Sequence, residues 1–308
     1  FNLGLSQRKA IYQYFPQGIP AMMTIDRDHC LYFTKGLCRV CEKFCDKKAV
    51  DFEQADEVLF RRVGAIILAT GFDPFDPSPL AQYGYRKYPD VITALEFERL
   101  VSASGPTEGE LRRLSDGGEV KRIAFIHCIG SRDVRFNGHC SAVCCMFATK
   151  EAILANEHDS RVESYLFYTD LRASEKGFQE YLHRGANEYK VHYIRWRVAK
   201  ITSSAQGRPV LWYEDTRVRR QERMEFDLVV LVNSLVPSVG SRQLAQTLGV
   251  ALDDRGFVRT DPYSPTETSV EGIFACGYCE SPMDIPSSVA QASGAAARAL
   301  EVVWRDKP

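Results

Sequence analysis

Ten cysteines carry most of the chemistry this sequence offers, and they stand in three groups. Cys30, Cys38, Cys41 and Cys45 form the first, Cys128, Cys140, Cys144 and Cys145 the second, and Cys276 and Cys279 the third. Thiolates at such spacings can hold an iron–sulfur cluster or zinc, or work as redox thiols. In the first group the short gaps of one loop can fold four sulfurs inward. Ferredoxin loops use C-x2-C-x2-C-x3-C-P. Here the first gap is longer, and Asp46 stands in the proline's place. The reading favours an iron–sulfur cluster, with a four-cysteine zinc site as the rival that shares its ligand count. Disulfides fit poorly, since an adjacent pair such as Cys144 and Cys145 closes only with strain.

In the second group, Cys128 ends an expected strand and Cys140 precedes an expected helix. Ser141 reads as that helix's N-cap, which puts Cys144 and Cys145 on its first turn. Four sulfurs can then meet at the carboxyl edge of a sheet, where α/β proteins place their chemistry. The plain alternative is four buried thiols acting as small hydrophobes. Cys128-Ile129-Gly130-Ser131-Arg132-Asp133 occupies the place of a dinucleotide loop. No G-x-G-x-x-G occurs, which argues against a bound nicotinamide coenzyme. Lys150 lies about 140° around the helix from Cys145, so spacing alone makes it a solvated lysine. His29, His127 and His139 each precede a cysteine, and strand alternation would send His127 and Cys128 to opposite faces. Chance adjacency is the preferred account of all three.

The third group follows Gly272–Ala275 and precedes Asp284-Ile285-Pro286 and a helix from Ser287 rich in small residues. That helix start can face an anionic ligand or simply pack closely. Cys276 and Cys279 are equally readable as redox active or as buried.

The elements that must position these groups alternate. Gly64–Gly71 reads as a short buried strand ending at a glycine turn. Leu5–Gln13, Thr93–Val101 and Glu108–Leu114 read as helices, and Asp116-Gly117-Gly118 as a boundary. Beyond it, strands at Arg122–Cys128, Val162–Tyr168 and Val191–Trp196 alternate with helices at Ala142–Asn156 and Glu175–His183. Such alternation predicts a mostly parallel sheet. Val198–Ser203 and Pro209–Glu214 read as a hairpin turning at Gly207, Met224–Val232 as one strand and Leu244–Leu248 as a short helix. The last helix covers Ser287–Trp304.

Composition bounds the function. The chain has 308 residues, 45% apolar and 26% charged, with 39 basic against 40 acidic side chains. That length supports a packed core in about two domains. The balance leaves no basic footprint for nucleic acid. The longest apolar runs, near Val63–Ala69 and Leu228–Val232, fall far short of the roughly 20 residues a membrane helix needs. No signal-peptide pattern is read at the start, and grouped thiols suit a reduced cytoplasm.

The sequence resembles the A subunit of heterodisulfide reductase and the related flavoprotein subunits of quinone-interacting oxidoreductase complexes. Cys30-Leu31-Tyr32-Phe33-Thr34-Lys35-Gly36, Cys38-Arg39-Val40-Cys41-Glu42-Lys43-Phe44-Cys45 and Cys128-Ile129-Gly130-Ser131-Arg132-Asp133 carry the likeness. So do Cys140-Ser141-Ala142-Val143-Cys144-Cys145-Met146, Asp284-Ile285-Pro286 and Ser288-Val289-Ala290-Gln291-Ala292. The resemblance implies a thioredoxin-reductase-like α/β flavoprotein in which one domain interrupts another. The divisions expected are 1–117 (partial FAD-binding domain), 118–236 (inserted domain) and 237–308 (return to the first). It implies FAD held by Thr70, Gly71, Gly277, Ile285, Pro286, Val289 and Ala290, with Lys150 facing the flavin. One [4Fe–4S] cluster maps to Cys128, Cys140, Cys144 and Cys145, another to Cys30, Cys38, Cys41 and Cys45. Other electron-transfer subunits are the implied partners, and a homodimer is a further expectation. Two departures stand out. The pyrophosphate loop of the flavin domain is missing, as in a piece lacking the first part of that domain. Tyr278 stands where the wider superfamily usually has an acid. A zinc-stabilised scaffold and a pyridine-nucleotide disulfide reductase using Cys276 and Cys279 are the alternatives.

Overall fold

The computed structural model describes residues 2–215 and 220–305. The chain opens with a hairpin, β1 (Ile11–Gln13) against β2 (Met23–Ile25), followed by short helices α1 (Leu31–Lys35) and α2 (Val40–Lys43). Strands β3 (Ile66–Leu68), β4 (Phe72–Pro74) and β5 (Val91–Thr93) lead into helix α3 (Ala94–Val101). Next come β6 (Arg122–Ile129), α4 (Cys144–His158), β7 (Glu163–Phe167), α5 (Phe178–Glu188) and β8 (Val191–Ile194). Strands β9 (Val198–Ser203), β10 (Pro209–Asp215) and β11 (Arg220–Glu225) form an antiparallel sheet. The chain closes with β12 (Leu228–Asn233), β13 (Leu235–Pro237), α6 (Val239–Leu248), β14 (Ile273–Ala275) and α7 (Ile285–Arg305).

Five strands make the central sheet in the order β5-β12-β6-β7-β8, all parallel. Period-two alternation decides what each face meets. Ile123 and Phe125 of β6, with Leu228, Val230 and Val232 of β12, pack against α3 and α4. Ala124 and Ile126, with Val229 and Leu231, turn to the other face and meet Val198, Ile201, Leu211 and Tyr213 of the antiparallel sheet. All six β12 residues are buried, as a strand covered on both faces requires. Helix α3 is fixed at its start by a capping box, in which Thr93 accepts from the Glu96 backbone and Glu96 reaches back to Thr93.

A smaller layer pairs β3 with β14, parallel, although over 200 residues separate them in sequence. Helix α7 covers one face through Ala295 and Ala299, while Ala245 of α6 packs on the other. Strands β4 and β13 pair antiparallel and join this layer to the large sheet. One α/β unit thus interrupts another. The large sheet takes its edge strand β5 and helix α3 from residues before 118.

Four sequence expectations are corrected. Ile11–Gln13 joins a hairpin with Met23–Ile25 instead of continuing a helix, because that strand pairing takes up its backbone groups. Glu108–Leu114 forms turns, with Glu108 at φ +55° and Gly109 at φ +89°, which no right-handed helix accommodates. Met224–Val232 divides into β11 and β12, broken at Asp227, whose buried carboxylate accepts from the Lys121 and Arg122 N–H groups at 2.9 and 3.0 Å. Ser141 does not cap α4; Val143 does, and the Ser141 hydroxyl is fully buried elsewhere.

Candidate functional site at the sheet edge

Strand β6 leaves the sheet through an unusual residue. Cys128 has φ +60°, which breaks strand alternation just where the thiol emerges. Gly130 follows at φ +73°, and a β-carbon there would overlap the Phe75 ring. A returning loop is then stitched to this turn. Ser131 Oγ donates to the His139 carbonyl at 2.7 Å, and the Arg132 N–H donates to the same oxygen at 3.0 Å. Asn137 donates through its side chain to the Gly130 carbonyl at 3.0 Å. These bonds bring Cys140 back beside the end of β6.

The next three residues are tied to the rest of the fold. Ser141 Oγ accepts from the Leu235 N–H at 2.9 Å, and the Tyr278 hydroxyl donates to the Ser141 carbonyl at 3.0 Å. Tyr278 packs on Phe72 at 4.6 Å, so the small sheet and the thiol loop share a residue. Cys144 and Cys145 occupy the first turn of α4, 2% and 3% exposed, at the end of the helix that favours negative charge.

The four thiols feel one another. Burial pushes Cys128 up to about 11, with Cys145 and Cys140 adding to the rise and Arg132 opposing it. The Cys144 thiol donates toward Cys145, which raises Cys144 and lowers Cys145 well below an ordinary cysteine. His127 lies beside Cys145 and lowers it further. Cys140 Sγ accepts from the Ala142 N–H at 3.4 Å. His127, Cys128 and Arg132 also border a cavity of about 130 Å³ with Tyr83 and Trp196. Opposite strand faces therefore do not separate His127 from Cys128, because the positive φ removes the alternation on which that expectation rested.

The first cysteine group is built differently. Cys30 precedes α1 and is buried, Cys38 is exposed at φ +88°, and Cys41 sits on α2, with Cys45 after it. Tyr32, Phe33 and Phe52 form an aromatic cluster beneath the loop, with Arg39 over Tyr32 and Phe52. The Ala49 N–H donates to Cys45 Sγ at 3.3 Å. Among the described residues, no three of His, Cys, Asp or Glu converge on a single metal-ion position, in either group.

Cys276 and Cys279 pack into two different apolar clusters on opposite sides of β14. The Cys279 thiol donates to the Leu68 and Cys276 carbonyls at 3.4 and 3.3 Å, the behaviour of a buried thiol. Thr70 and Gly71 follow β3, and Gly277 follows the parallel β14, so all three emerge at one edge. The Thr70 hydroxyl pairs with Ser241 at 2.6 Å, and the Gly277 N–H donates to Gln291 at 2.7 Å. Ser288 of α7 is 3.8 Å from where a Gly277 β-carbon would stand. Ile285, Pro286, Val289 and Ala290 are exposed at the start of α7. Beside them, one carboxylate oxygen of Asp284 is buried without a hydrogen-bond partner among the described residues. Lys150 pairs with Glu98 of α3, half-buried, and burial lowers its pKa. From sequence, His127 is set aside as chance adjacency and Tyr278 stands only as a departure, without its bond to the thiol loop. A histidine at the end of a buried apolar strand was the available signal for the first.

No protein-family profile matches the chain. Curated relatives do. The A subunit of the H(2):CoB-CoM heterodisulfide,ferredoxin reductase of Methanothermobacter thermautotrophicus is 41% identical over 302 residues, covering 97% of this chain and 45% of that protein. The second iron-sulfur A subunit of the CoB--CoM heterodisulfide reductase of Methanopyrus kandleri is 44% identical over 303 residues, with the same two coverages. The chain thus spans about half the length of the curated relatives it matches. Among solved structures, the thioredoxin reductase of Lactococcus lactis (FR conformation) superposes with a TM-score of 0.50 at 19% identity, covering 78% of this chain and 66% of that one. That likeness supports the thioredoxin-reductase-like fold.

Proposed function

We propose that this chain, a member of the family of heterodisulfide reductase A subunits, is an electron-transfer subunit that holds iron–sulfur centres and a flavin. The observation that carries the reading is the gathering of four thiols at the carboxyl edge of the large sheet, two of them buried and electrostatically coupled. Among the described residues no three metal-ligating side chains converge on a single-ion position, in this group or in the loop. A cluster, whose ligands bind different iron atoms, asks for a wider set. Cys128, Cys140, Cys144 and Cys145 would hold one [4Fe–4S] centre and Cys30, Cys38, Cys41 and Cys45 a second. In the first cysteine group, the Ala49 N–H bond to Cys45 Sγ suits that role.

Flavin fits the edge of the small sheet. Thr70, Gly71, Gly277, Ile285, Pro286, Val289 and Ala290 border it, and beside the start of α7 one Asp284 oxygen is buried without a partner among the described residues. FAD supplies a two-electron carrier that exchanges single electrons with clusters. Lys150, paired with Glu98 of α3, is the residue we assign to the flavin's electronics. The partners in this reading are the other subunits of a heterodisulfide-reductase-like complex, meeting the chain at the first loop, where Leu37, Val40 and Phe44 are exposed.

Anaerobic purification with iron, sulfide and flavin quantification tests the proposal. Two cubanes give about eight iron atoms per chain and a visible spectrum that bleaches with dithionite. Iron near zero with stoichiometric zinc overturns it.

A further inference from the structure

His127 is only 7% exposed, at the end of the buried run of β6, and neither ring nitrogen has a hydrogen-bond partner among the described residues. An unmade hydrogen bond on a buried imidazole is costly, and native structures seldom leave one without a reason. The ring's surroundings supply one. His127 adjoins Cys128, borders the same cavity, and lies beside the sulfur of Cys145 on the first turn of α4. The other groups of this edge are engaged. Arg132 pairs with Asp170, Ser131 with the His139 carbonyl, and His139 Nε2 with the Leu235 carbonyl at 3.0 Å. Among the described residues, His127 is the buried polar side chain of this edge with no neighbour to bond except the Cys145 sulfur, which also faces the Asp170 carbonyl at 3.8 Å.

We infer that His127 is a positioning residue whose ring N–H is reserved for a sulfur of the centre held at Cys145. This rests on the iron–sulfur reading above and deepens it. Electron uptake adds one negative charge to a cluster, and an N–H aimed at a sulfur stabilises the reduced form more than the oxidised. His127 therefore raises the reduction potential of the sheet-edge centre without ligating iron.

The test uses the whole protein, prepared anaerobically with both centres loaded, and reads the midpoint potential of the sheet-edge centre by EPR-monitored titration. His127→Phe removes the donor and keeps the volume; His127→Gln keeps an N–H. The inference predicts parental iron content in both variants. It predicts a reduction equilibrium at least about tenfold less favourable in His127→Phe, which for one electron is about 59 mV lower. His127→Gln should recover most of that shift. Should Phe expel the centre, His127→Leu compared with His127→Gln decides by the same difference. Full iron with an unchanged potential in the apolar variant overturns the inference alone. A parent protein that binds no iron at this edge overturns the iron–sulfur reading and the inference with it.

Discussion

Cys144 and Cys145 ride on a helix packed into the main core, whereas α1 and α2 around Cys38 and Cys41 bury none of their residues. The same ligand count thus occurs in two physical settings. At the sheet edge, burial, a helix terminus, His127 and neighbouring thiols all act on the sulfurs before any metal arrives. In the loop, charge and solvent are close, and the fold contributes little beyond an aromatic floor. On the proposed reading, a centre at the sheet edge would be tuned by the protein and coupled to its stability. On the same reading, a centre in the loop would be tuned mainly by its ligands and would stand at an exposed surface.

Substitutions that touch one region should leave the other intact, and the largest effect belongs to the core. Phe125 is fully buried and meets Phe97 edge-on at 5.4 Å. Phe125→Ala should cost about 3–5 kcal/mol in denaturant unfolding. It should lower iron at the sheet edge while the loop keeps its own. Equal loss from both centres would erase the distinction.

Glu151 gives a pH-dependent contrast. It is fully buried on α4, one oxygen lacks a partner among the described residues, and burial raises its pKa well above the usual range, with Lys150 opposing. The folded protein thus binds this proton more tightly than the unfolded chain. The stability it confers is complete below the unfolded carboxyl's pKa and is lost as pH rises through the raised value. Thermal unfolding at pH 5 and pH 8 should show that decline in the parent and a flatter profile in Glu151→Gln.

Thr93→Ala removes the capping box of α3, which packs on α4, and should cost about 1 kcal/mol. Cys38→Ala, in the loop, should change stability by no more than about 0.5 kcal/mol while abolishing the loop's iron. A large drop in unfolding temperature from Cys38→Ala would show that the loop is as tied to the core as the sheet edge.

The periodic parts of this fold were legible from sequence. Alternating strands and helices around Arg122–Ile194 predicted the parallel sheet, and the vicinal cysteines lie on the first turn of α4 although Val143, not Ser141, precedes it. Features set by long-range pairing were not. Nothing local tells that Val91–Thr93 joins the large sheet through β12, or that Ile11–Gln13 pairs with Met23–Ile25. His127 was hidden for a sharper reason. Strand alternation is a sound rule until one residue takes a positive φ, and Cys128 does so at the point that matters. Ser141 has the composition of a cap, yet the Leu235 N–H claims its hydroxyl.

The central claim is that the sheet-edge thiols hold an iron–sulfur centre of their own. Iron and sulfide counted in anaerobically prepared Cys38→Ala/Cys41→Ala protein test it most directly. Retention of about four iron atoms and four sulfides per chain is the predicted result. A count near zero, in protein that remains folded, would contradict it.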